Sequence, residues 1–388
     1  MIPYGRQDIS EADIAAVVAV LRSDFLTQGA VVPAFEAAVA RYCGADHAVA
    51  VNSATSALHL SCLALGVGPG DWVWISPITF VASANCARYC GAQVDFVDID
   101  ANTCNLSVDR LADKLAQAEL AGRLPRVVIP VHLSGQPCDM AGIHALSLRY
   151  GFKIIEDASH AIGGRYLGEP IGSGRFSHIT VFSFHPVKVI TTGEGGMAVT
   201  NDETISARMR LLRSHGITRD AEAMTHEPDG PWYYQQLELG FNYRLTEFQA
   251  ALGLSQLTRL DEFVASRHAL AARYDEAFAG DPITIPHRVP GTLSGLHLYV
   301  IRLQLEHVAA SHRGVFEALR ADGVAVNLHY IPVHLQPYYQ ALGFQAGYCP
   351  DAEAYYASAI SIPMYASLAE ADQQRVIAAV RRAVRRSI

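Results

Sequence analysis

Lys188 is the residue whose surroundings in this chain most suggest covalent chemistry. It closes the segment Ser183-Phe184-His185-Pro186-Val187-Lys188, just past the apolar run Ile179-Thr180-Val181-Phe182. A glycine-rich turn, Thr191-Thr192-Gly193-Glu194-Gly195-Gly196, then leads into another strand, Met197 to Thr200. A lysine at the carboxyl end of a strand, beside a hydroxyl and ahead of glycines, can form an imine with an aldehyde cofactor. A solvated loop lysine fits the same local pattern. The partners such a lysine needs must come from elsewhere in the chain.

Glu156-Asp157-Ala158-Ser159-His160 ends a second apolar strand and places Asp157 31 residues before Lys188. A carboxylate at the mouth of a sheet can pair with a protonated pyridine nitrogen and keep that ring an electron sink. An aspartate that caps the following turn reads the same way. Asn52-Ser53-Ala54-Thr55-Ser56-Ala57 joins a strand to a helix. The first N–H groups of that helix, with the Thr55 and Ser56 hydroxyls, make an anion site; plain capping by Ser53 or Thr55 is the alternative. Ser183 offers one more hydroxyl. Phe80, in Ser76-Pro77-Ile78-Thr79-Phe80, is placed either to stack on an aromatic ring or to fill core.

The elements that must position these residues follow a regular rhythm. Ser10 with Asp13 starts a helix through Leu21, and Val32–Tyr42 forms another that Gly44 stops. Strands are expected at Ala48–Val51, Trp72–Ser76, Val94–Val97, Val127–Val131 and Lys153–Glu156. Helices are expected between them at Thr55–Leu65, Val81–Tyr89, Val108–Leu120 and Met140–Tyr150. This alternation predicts an α/β fold with a largely parallel, doubly wound sheet, whose ligands gather at the carboxyl ends of the strands. Asn52–Ser56, Pro77–Phe80, Asp157–His160 and Ser183–Lys188 all fall there. Residues 217–240 read as an exposed excursion, and Thr246–Ala279 as one long helix or two joined ones. A smaller C-terminal unit follows, with a strand at Leu298–Leu303, a helix at Gly314–Ala321, the segment Asn327–His334 and a closing helix from Leu368 to Arg386. The five arginines among residues 375–386 suit the end of a helix dipole and a solvated face. The expected division is a large unit over residues 1–245, with an N-terminal arm, and a long helix plus small unit over residues 246–388.

Bulk properties narrow the classes. The 388 residues suit two domains; half are hydrophobic and 18% charged, which excludes disorder. A formal charge of −8 argues against nucleic acid or an anionic membrane as partner. The seven cysteines are odd in number, form no C-x-x-C pair and lie mostly in apolar stretches, so a reducing cytoplasm is expected. The start, Met1–Asp8, has no apolar signal core, and no uncharged run is apolar enough to span a bilayer. The 16 histidines show no H-E-x-x-H spacing, so no metal is expected. Gly66-x-Gly68-x-Gly70 lacks a strand before it and a helix after it, and reads as a turn rather than a dinucleotide fingerprint.

Taken together and in order, these segments resemble the DegT/DnrJ/EryC1/StrS family of sugar aminotransferases over nearly the whole chain. The carriers are Leu26-Thr27-Gln28-Gly29, Asn52–Leu58, Ile155–Gly163, Ser183–Gly196, Arg213–Gly216, Gly240–Gln249 and His329-Tyr330-Ile331-Pro332. The resemblance implies the fold of aspartate aminotransferase (fold type I), with a mostly parallel large-domain sheet and a smaller C-terminal α+β domain. It implies pyridoxal 5′-phosphate as cofactor. It further implies that Lys188 carries the cofactor, Asp157 binds its pyridine nitrogen, Phe80 stacks on its ring and His160 lies near its phenolic oxygen. Thr55, Ser56 and Ser183 would hold the phosphate, and Asn242 would reach the phosphate of the neighbouring subunit in a homodimer with shared sites. His160 stands where many members carry glutamine. Lysine at position 188, where dehydratase relatives carry histidine, favours amino transfer.

Within the family, Asn52–Leu58, Ser159–Gly163, Phe182–Lys188 and Leu212–Gly216 are most similar to the branch that aminates a UDP-linked 4-keto-6-deoxy sugar in pseudaminic acid biosynthesis. That substrate is UDP-2-acetamido-2,6-dideoxy-β-L-arabino-hex-4-ulose, with L-glutamate as amino donor. The likeness implies a sugar-nucleotide site made by Tyr4, Asp24, Phe25, Leu26, Thr27, Ala54, Ser183, Tyr243, Asn327, Leu328, His329 and Tyr330. Asp24-Phe25 stands where that branch carries a basic residue. The other readings are amination of a dTDP- or GDP-linked sugar, at C4 or C3, and a non-catalytic ligand-binding member.

Overall fold

A computed structural model of the chain describes residues 1–385. Its main sheet has seven strands: β1 (His47–Val51), β2 (Trp72–Ile75), β3 (Gln93–Phe96), β4 (Val127–Ile129), β5 (Lys153–Asp157), β6 (Ile179–Ser183) and β7 (Gly196–Thr200). They lie in the order β1-β7-β6-β5-β4-β2-β3. Strand β7 runs antiparallel to both of its neighbours, and the remaining pairs are parallel. The largely parallel α/β sheet is therefore present, with one reversed strand that returns from the Lys188 loop. Side chains alternate between two cores: Val49, Val51 and Ile129 enter one, while Ala48, Ala50 and Val128 enter the other. Burial on both faces explains why these strands read as nearly continuous apolar runs.

Helices α1 (Glu11–Leu21) and α2 (Val31–Cys43) precede β1, while α3 (Ala54–Ala64) connects β1 to β2 and α4 (Ala82–Tyr89) connects β2 to β3. Ser10 and Asp13 form the expected capping box of α1, and Gly44 ends α2 at φ 72°. The stretch after residue 245 is two helices, Glu247–Leu257 and Leu260–Ala277. The first packs against α1 and α2. Glu247 accepts the N–H groups of Gly29 at 2.9 Å and Val31 at 2.6 Å, so its carboxylate caps the start of α2. A Cβ on Gly29 would stand 3.2 Å from that carboxylate, which accounts for glycine there. Arg213 bonds Glu36 at 2.6 Å and the Ala50 carbonyl at 2.7 Å, tying its segment to the edge strand.

A three-stranded antiparallel sheet, Ile283–Thr284, Tyr299–Leu303 and Ala359–Ile362, builds the C-terminal unit. Ile2 joins this core and pairs with Val324, while the Met364 N–H donates to the Tyr4 carbonyl. The closing helix spans Glu370–Arg385; Arg386, the expected last residue, lies outside the described residues. Its arginines are paired: Arg381 and Arg385 with Asp281, Arg382 with Asp322, Arg375 with Asp372. The excursion at 217–240 holds a two-stranded ribbon, Ile217–Thr218 against Gln235–Gln236, and leaves Trp232 and Leu239 exposed. Among the described residues no helix is long and apolar enough to cross a membrane.

Candidate active site

A cavity of about 590 Å³ opens at the carboxyl ends of β1, β5 and β6, and the C-terminal segment Asn327–Tyr330 closes its far side. The Lys188 loop is held by its own sequence. Phe184 is fully buried against Phe35, with ring centroids 5.2 Å apart. Its carbonyl accepts from the Thr192 N–H at 3.0 Å and the Thr191 hydroxyl at 2.9 Å, which folds the loop back on the strand. Gly196 begins β7 where a Cβ would lie 2.4 Å from the Ala54 nitrogen, so only glycine lets the reversed strand meet the start of α3. The lysine is thereby aimed into the cavity. Its ammonium has no hydrogen-bond or ion-pair partner among the described residues. Burial lowers its pKa from 10.5 to about 8, partly opposed by the negative charge of Asp157.

Asp157 ends β5 and is almost fully buried. Its Oδ2 accepts from the Ser83 hydroxyl at 2.6 Å, and its Oδ1 from the Ser159 N–H at 3.1 Å. Both bonds fix the carboxylate plane. Glu156, on the opposite face of the strand, takes His132 at 2.7 Å instead and plays no part in the cavity.

Three imidazoles stand together near Lys188. His160 and His297 lie 4.5 Å apart between ring centroids. The Ser134 N–H donates to His160 Nδ1 at 3.2 Å, which puts the proton on Nε2, and Nε2 then donates to the Tyr330 hydroxyl at 3.1 Å. Burial first, then the charges of Lys188 and His329, holds the His160 pKa well below its ordinary value. His297 is lowered in the same way, and His329 is brought to about 4 by burial and then by Lys188. All three are neutral at pH 7.

At the other end, Ser53 caps α3 by accepting the Ser56 N–H at 3.1 Å. The Thr55 hydroxyl has no partner among the described residues and lines the cavity. Ser56 does not: its hydroxyl donates to Asn52 Oδ1 at 2.7 Å, away from the opening. The structure thus brings Tyr4, Ala54, Thr55, Phe80, Asp157, His160, Ser183, Lys188 and Asn327–Tyr330 to one cavity. It leaves out Ser56, Asn242, Tyr243 and the loop Asp24-Phe25-Leu26-Thr27, whose residues are exposed. Tyr243 instead bonds His59 at 3.2 Å and stacks on Phe241. Sequence reasoning missed Ser83, Ser159 and His297. Only Ser159, two residues after Asp157, carried a local signal, since an aspartate often takes the N–H two positions on.

The sequence profile of the DegT/DnrJ/EryC1/StrS aminotransferase family matches residues 7–381. The chain belongs to this family. It is 38% identical over 383 residues to spore coat polysaccharide biosynthesis protein SpsC of Bacillus subtilis, covering 98% of this chain and 96% of that one. It is 40% identical over 351 residues to GDP-perosamine synthase of Caulobacter vibrioides, covering 89% and 88%. Helicobacter pylori PseC, an aminotransferase involved in the biosynthesis of pseudoaminic acid, superposes with a TM-score of 0.90 at 30% identity over 99% of both chains. A putative sugar aminotransferase of Streptococcus pneumoniae, Spr1654, in its PLP form, superposes with a TM-score of 0.89 at 30% identity, covering 99% of this chain and 98% of that one. The chain is a nucleotide-sugar transaminase of fold type I, and pyridoxal phosphate is its cofactor.

Proposed function

We propose that the enzyme moves the amino group of L-glutamate to the C4 ketone of a UDP-linked 4-keto-6-deoxy sugar of the pseudaminic acid route, as a cytoplasmic homodimer. One observation carries the assignment of roles: the partnerless amine of Lys188, with its pKa lowered to about 8, shares a cavity with the buried carboxylate of Asp157.

The residues present suit the cofactor. Pyridoxal phosphate, when bound, supplies an aldehyde carbon that takes up the amino group and a ring that draws electrons from the substrate carbon. Asp157 would hold the proton of the ring nitrogen, with Ser83 and the Ser159 N–H orienting its oxygens. The first turn of α3, the Thr55 hydroxyl and Ser183 would hold the phosphate at the positive end of a helix. Phe80, 60% exposed at the cavity wall, would cover one face of the ring. His160 offers an Nε2–H donor to an oxygen acceptor, as a glutamine amide would. Lys188 Nζ then takes the proton from the amino-bearing carbon and returns it to the acceptor carbon, a task for which a pKa near 8 is suited. Tyr4, Asn327 and His329 line the sugar side of the opening.

The dimer is supported by what this chain leaves outside its own cavity. Asn242 and the Asp24–Thr27 loop are exposed, as are Phe25, Trp232 and Leu239, apolar surface that a second copy would cover. The full-length likeness to PseC, an aminotransferase involved in the biosynthesis of pseudoaminic acid, supports the pseudaminic acid reading. The 40% identity to GDP-perosamine synthase favours a second reading, a GDP-linked 4-keto sugar. Incubation with L-glutamate and a panel of UDP-, dTDP- and GDP-linked 4-keto sugars, with the product read by mass and NMR, decides between them. Amination of the UDP sugar at C4 is expected; transfer to the GDP sugar alone, or at C3, overturns the assignment.

A further inference from the structure

We propose that Arg267, which does not line the cavity, is the positioning residue for its sugar side, holding His297 and Tyr4 in place from behind. Arg267 lies in the helix Leu260–Ala277 and is almost fully buried. It makes no ion pair among the described residues, and its Nε has no hydrogen-bond partner. Burial lowers its pKa to about 10, so the guanidinium stays charged at pH 7. A buried charge without a counter-ion is destabilising, and an apolar side chain of similar volume would suit such a position better. The groups that it holds account for its presence.

Arg267 Nη1 donates to three backbone carbonyls, those of Leu296, His297 and Met364, each at 3.1 Å. Bonds from a charged donor are stronger than neutral ones. Two routes lead from these carbonyls to the cavity. The first is direct. His297 lines the cavity and packs on His160, which donates to Tyr330 in the segment that closes the far side. Leu296, just before it, stands at φ 46°, a left-handed conformation that is unfavourable for leucine. The turn that presents His297 therefore needs to be held from outside, and the guanidinium grips it at both residues. The second route runs through Met364, whose N–H donates to the Tyr4 carbonyl at 2.9 Å; Tyr4 also lines the cavity.

The groups expected to hold the cofactor come from other elements. Asp157 ends β5, Ser183 ends β6, Lys188 follows β6, and Thr55 lies in α3; none is bonded to Arg267. Loss of the guanidinium should therefore disturb sugar recognition and leave the cofactor cradle as it is. This rests on the sugar lying on the Tyr4 side, as proposed above.

The test compares Arg267→Lys, which keeps a charge and three donors without the planar fork, with Arg267→Met, which keeps bulk alone. Holoenzymes are assayed with L-glutamate and whichever nucleotide sugar of the panel the wild type aminates, so a wrong sugar assignment shows in the wild type and not in the variants. Displacement of the held side chains by up to about 1 Å is expected to raise the sugar KM about tenfold in Arg267→Lys, and further in Arg267→Met. The glutamate KM, and the affinity of apoenzyme for pyridoxal phosphate read by fluorescence, are expected to stay at wild-type values. In a His297→Ala background Arg267→Lys should cost less than it does alone, because one side chain that it positions is gone. His268→Ala is the control: His268 holds the Ser294 carbonyl near the same turn at 2.9 Å and does not line the cavity, so its loss should leave the sugar KM unchanged. Weaker cofactor binding together with a higher KM for both substrates in Arg267→Lys would show a merely structural arginine and overturn the proposal. So would an unchanged sugar KM, a rise in the glutamate KM alone, full additivity with His297→Ala, or a His268→Ala variant that raises the sugar KM equally.

Discussion

The Ser83 hydroxyl donates to Asp157 Oδ2 across 2.6 Å, joining the first turn of α4 to the end of β5. Thr79 lies 2.7 Å behind Ser83, so a short relay of hydroxyls backs the carboxylate. Ser83→Ala removes one of the two bonds that orient Asp157 and leaves the Ser159 N–H in place. A hydrogen bond to a charged group is worth about 1.5–3 kcal/mol, which corresponds to a loss of roughly tenfold or more in cofactor affinity. Titration of apoenzyme with pyridoxal phosphate, followed by fluorescence, reads this directly. A positioning role predicts weaker cofactor binding with the sugar KM unchanged; an unaltered cofactor affinity removes Ser83 from the site.

Lys188 makes the apoenzyme depend on pH. Its folded pKa of about 8 lies below the 10.5 of an unperturbed lysine. Between those values the unfolded state binds more protons than the folded state, so this residue's contribution to stability rises with pH across that window. Lys188→Met is expected to stabilise the apoenzyme at pH 7 and to lose that advantage by pH 10, as followed by thermal melts. Covalent capture of pyridoxal phosphate by borohydride should rise with a midpoint near 8 and locate to Lys188 by peptide mass. A midpoint above 10 contradicts the buried amine.

The imidazole cluster has a consequence of the same sign at lower pH. His160 and His297 stay neutral in the fold while unfolded histidines take up protons below about 6.5, so stability falls as pH drops through that region. His297→Gln should flatten the slope of unfolding free energy between pH 6.5 and 5. His160→Gln should do the same and keep activity within a few-fold, because an amide can accept from Ser134 and donate to Tyr330. His160→Ala should lose about tenfold in kcat/KM. Equal losses in the glutamine and alanine variants would show that Nε2–H donation is not what position 160 supplies.

Much of this was legible in the sequence, for reasons particular residues make plain. The capping box at Ser10–Asp13 and the left-handed Gly44 are local signals, and the strand–helix alternation needs only residues a few positions apart. Thr55 and Ser56 show the limit of that locality. Both hydroxyls sit in the first turn of α3, and the one that faces the cavity is decided by Asn52, which takes Ser56. Ser83 and His297 were invisible for another reason. They reach the site through the adjacency of strands β2, β4 and β5 and through the C-terminal unit, relations between segments far apart in the chain. Glu247 is intermediate, since its motif was visible but its role as a cap for α2 required the fold.

Gly196→Ala tests the contact between the Lys188 hairpin and the helix start. The new methyl would meet the Ala54 nitrogen at 2.4 Å and the Ser53 carbonyl carbon at 2.5 Å, both backbone atoms that cannot swing aside. Overpacking of this kind costs typically about 1–3 kcal/mol, and backbone against backbone belongs at the upper end. A fall of several degrees in Tm is expected, with faster loss of cofactor on gel filtration because α3 begins at the displaced residues. A variant with wild-type Tm and full cofactor retention would mean that the hairpin shifts freely.

Asn242 provides the sharpest test of the shared site. It is exposed and lies outside the cavity of its own chain, bridged to Ser214 along the backbone. If it completes the site of a second copy, Lys188→Ala and Asn242→Ala fail in different ways. A mixed dimer of the two variants then has one site lacking both groups and one site with both intact. Random re-association makes about half the dimers mixed, each with one working site of two, so about a quarter of wild-type activity should return after co-refolding, under the two-fold symmetry of such a dimer. Each variant alone should stay near background, and co-expression with two affinity tags should purify mixed dimers at about half of wild-type activity. Mixed dimers that are no better than the parents would place Asn242 in its own subunit's framework, whereas recovered activity requires that the residue cross the interface.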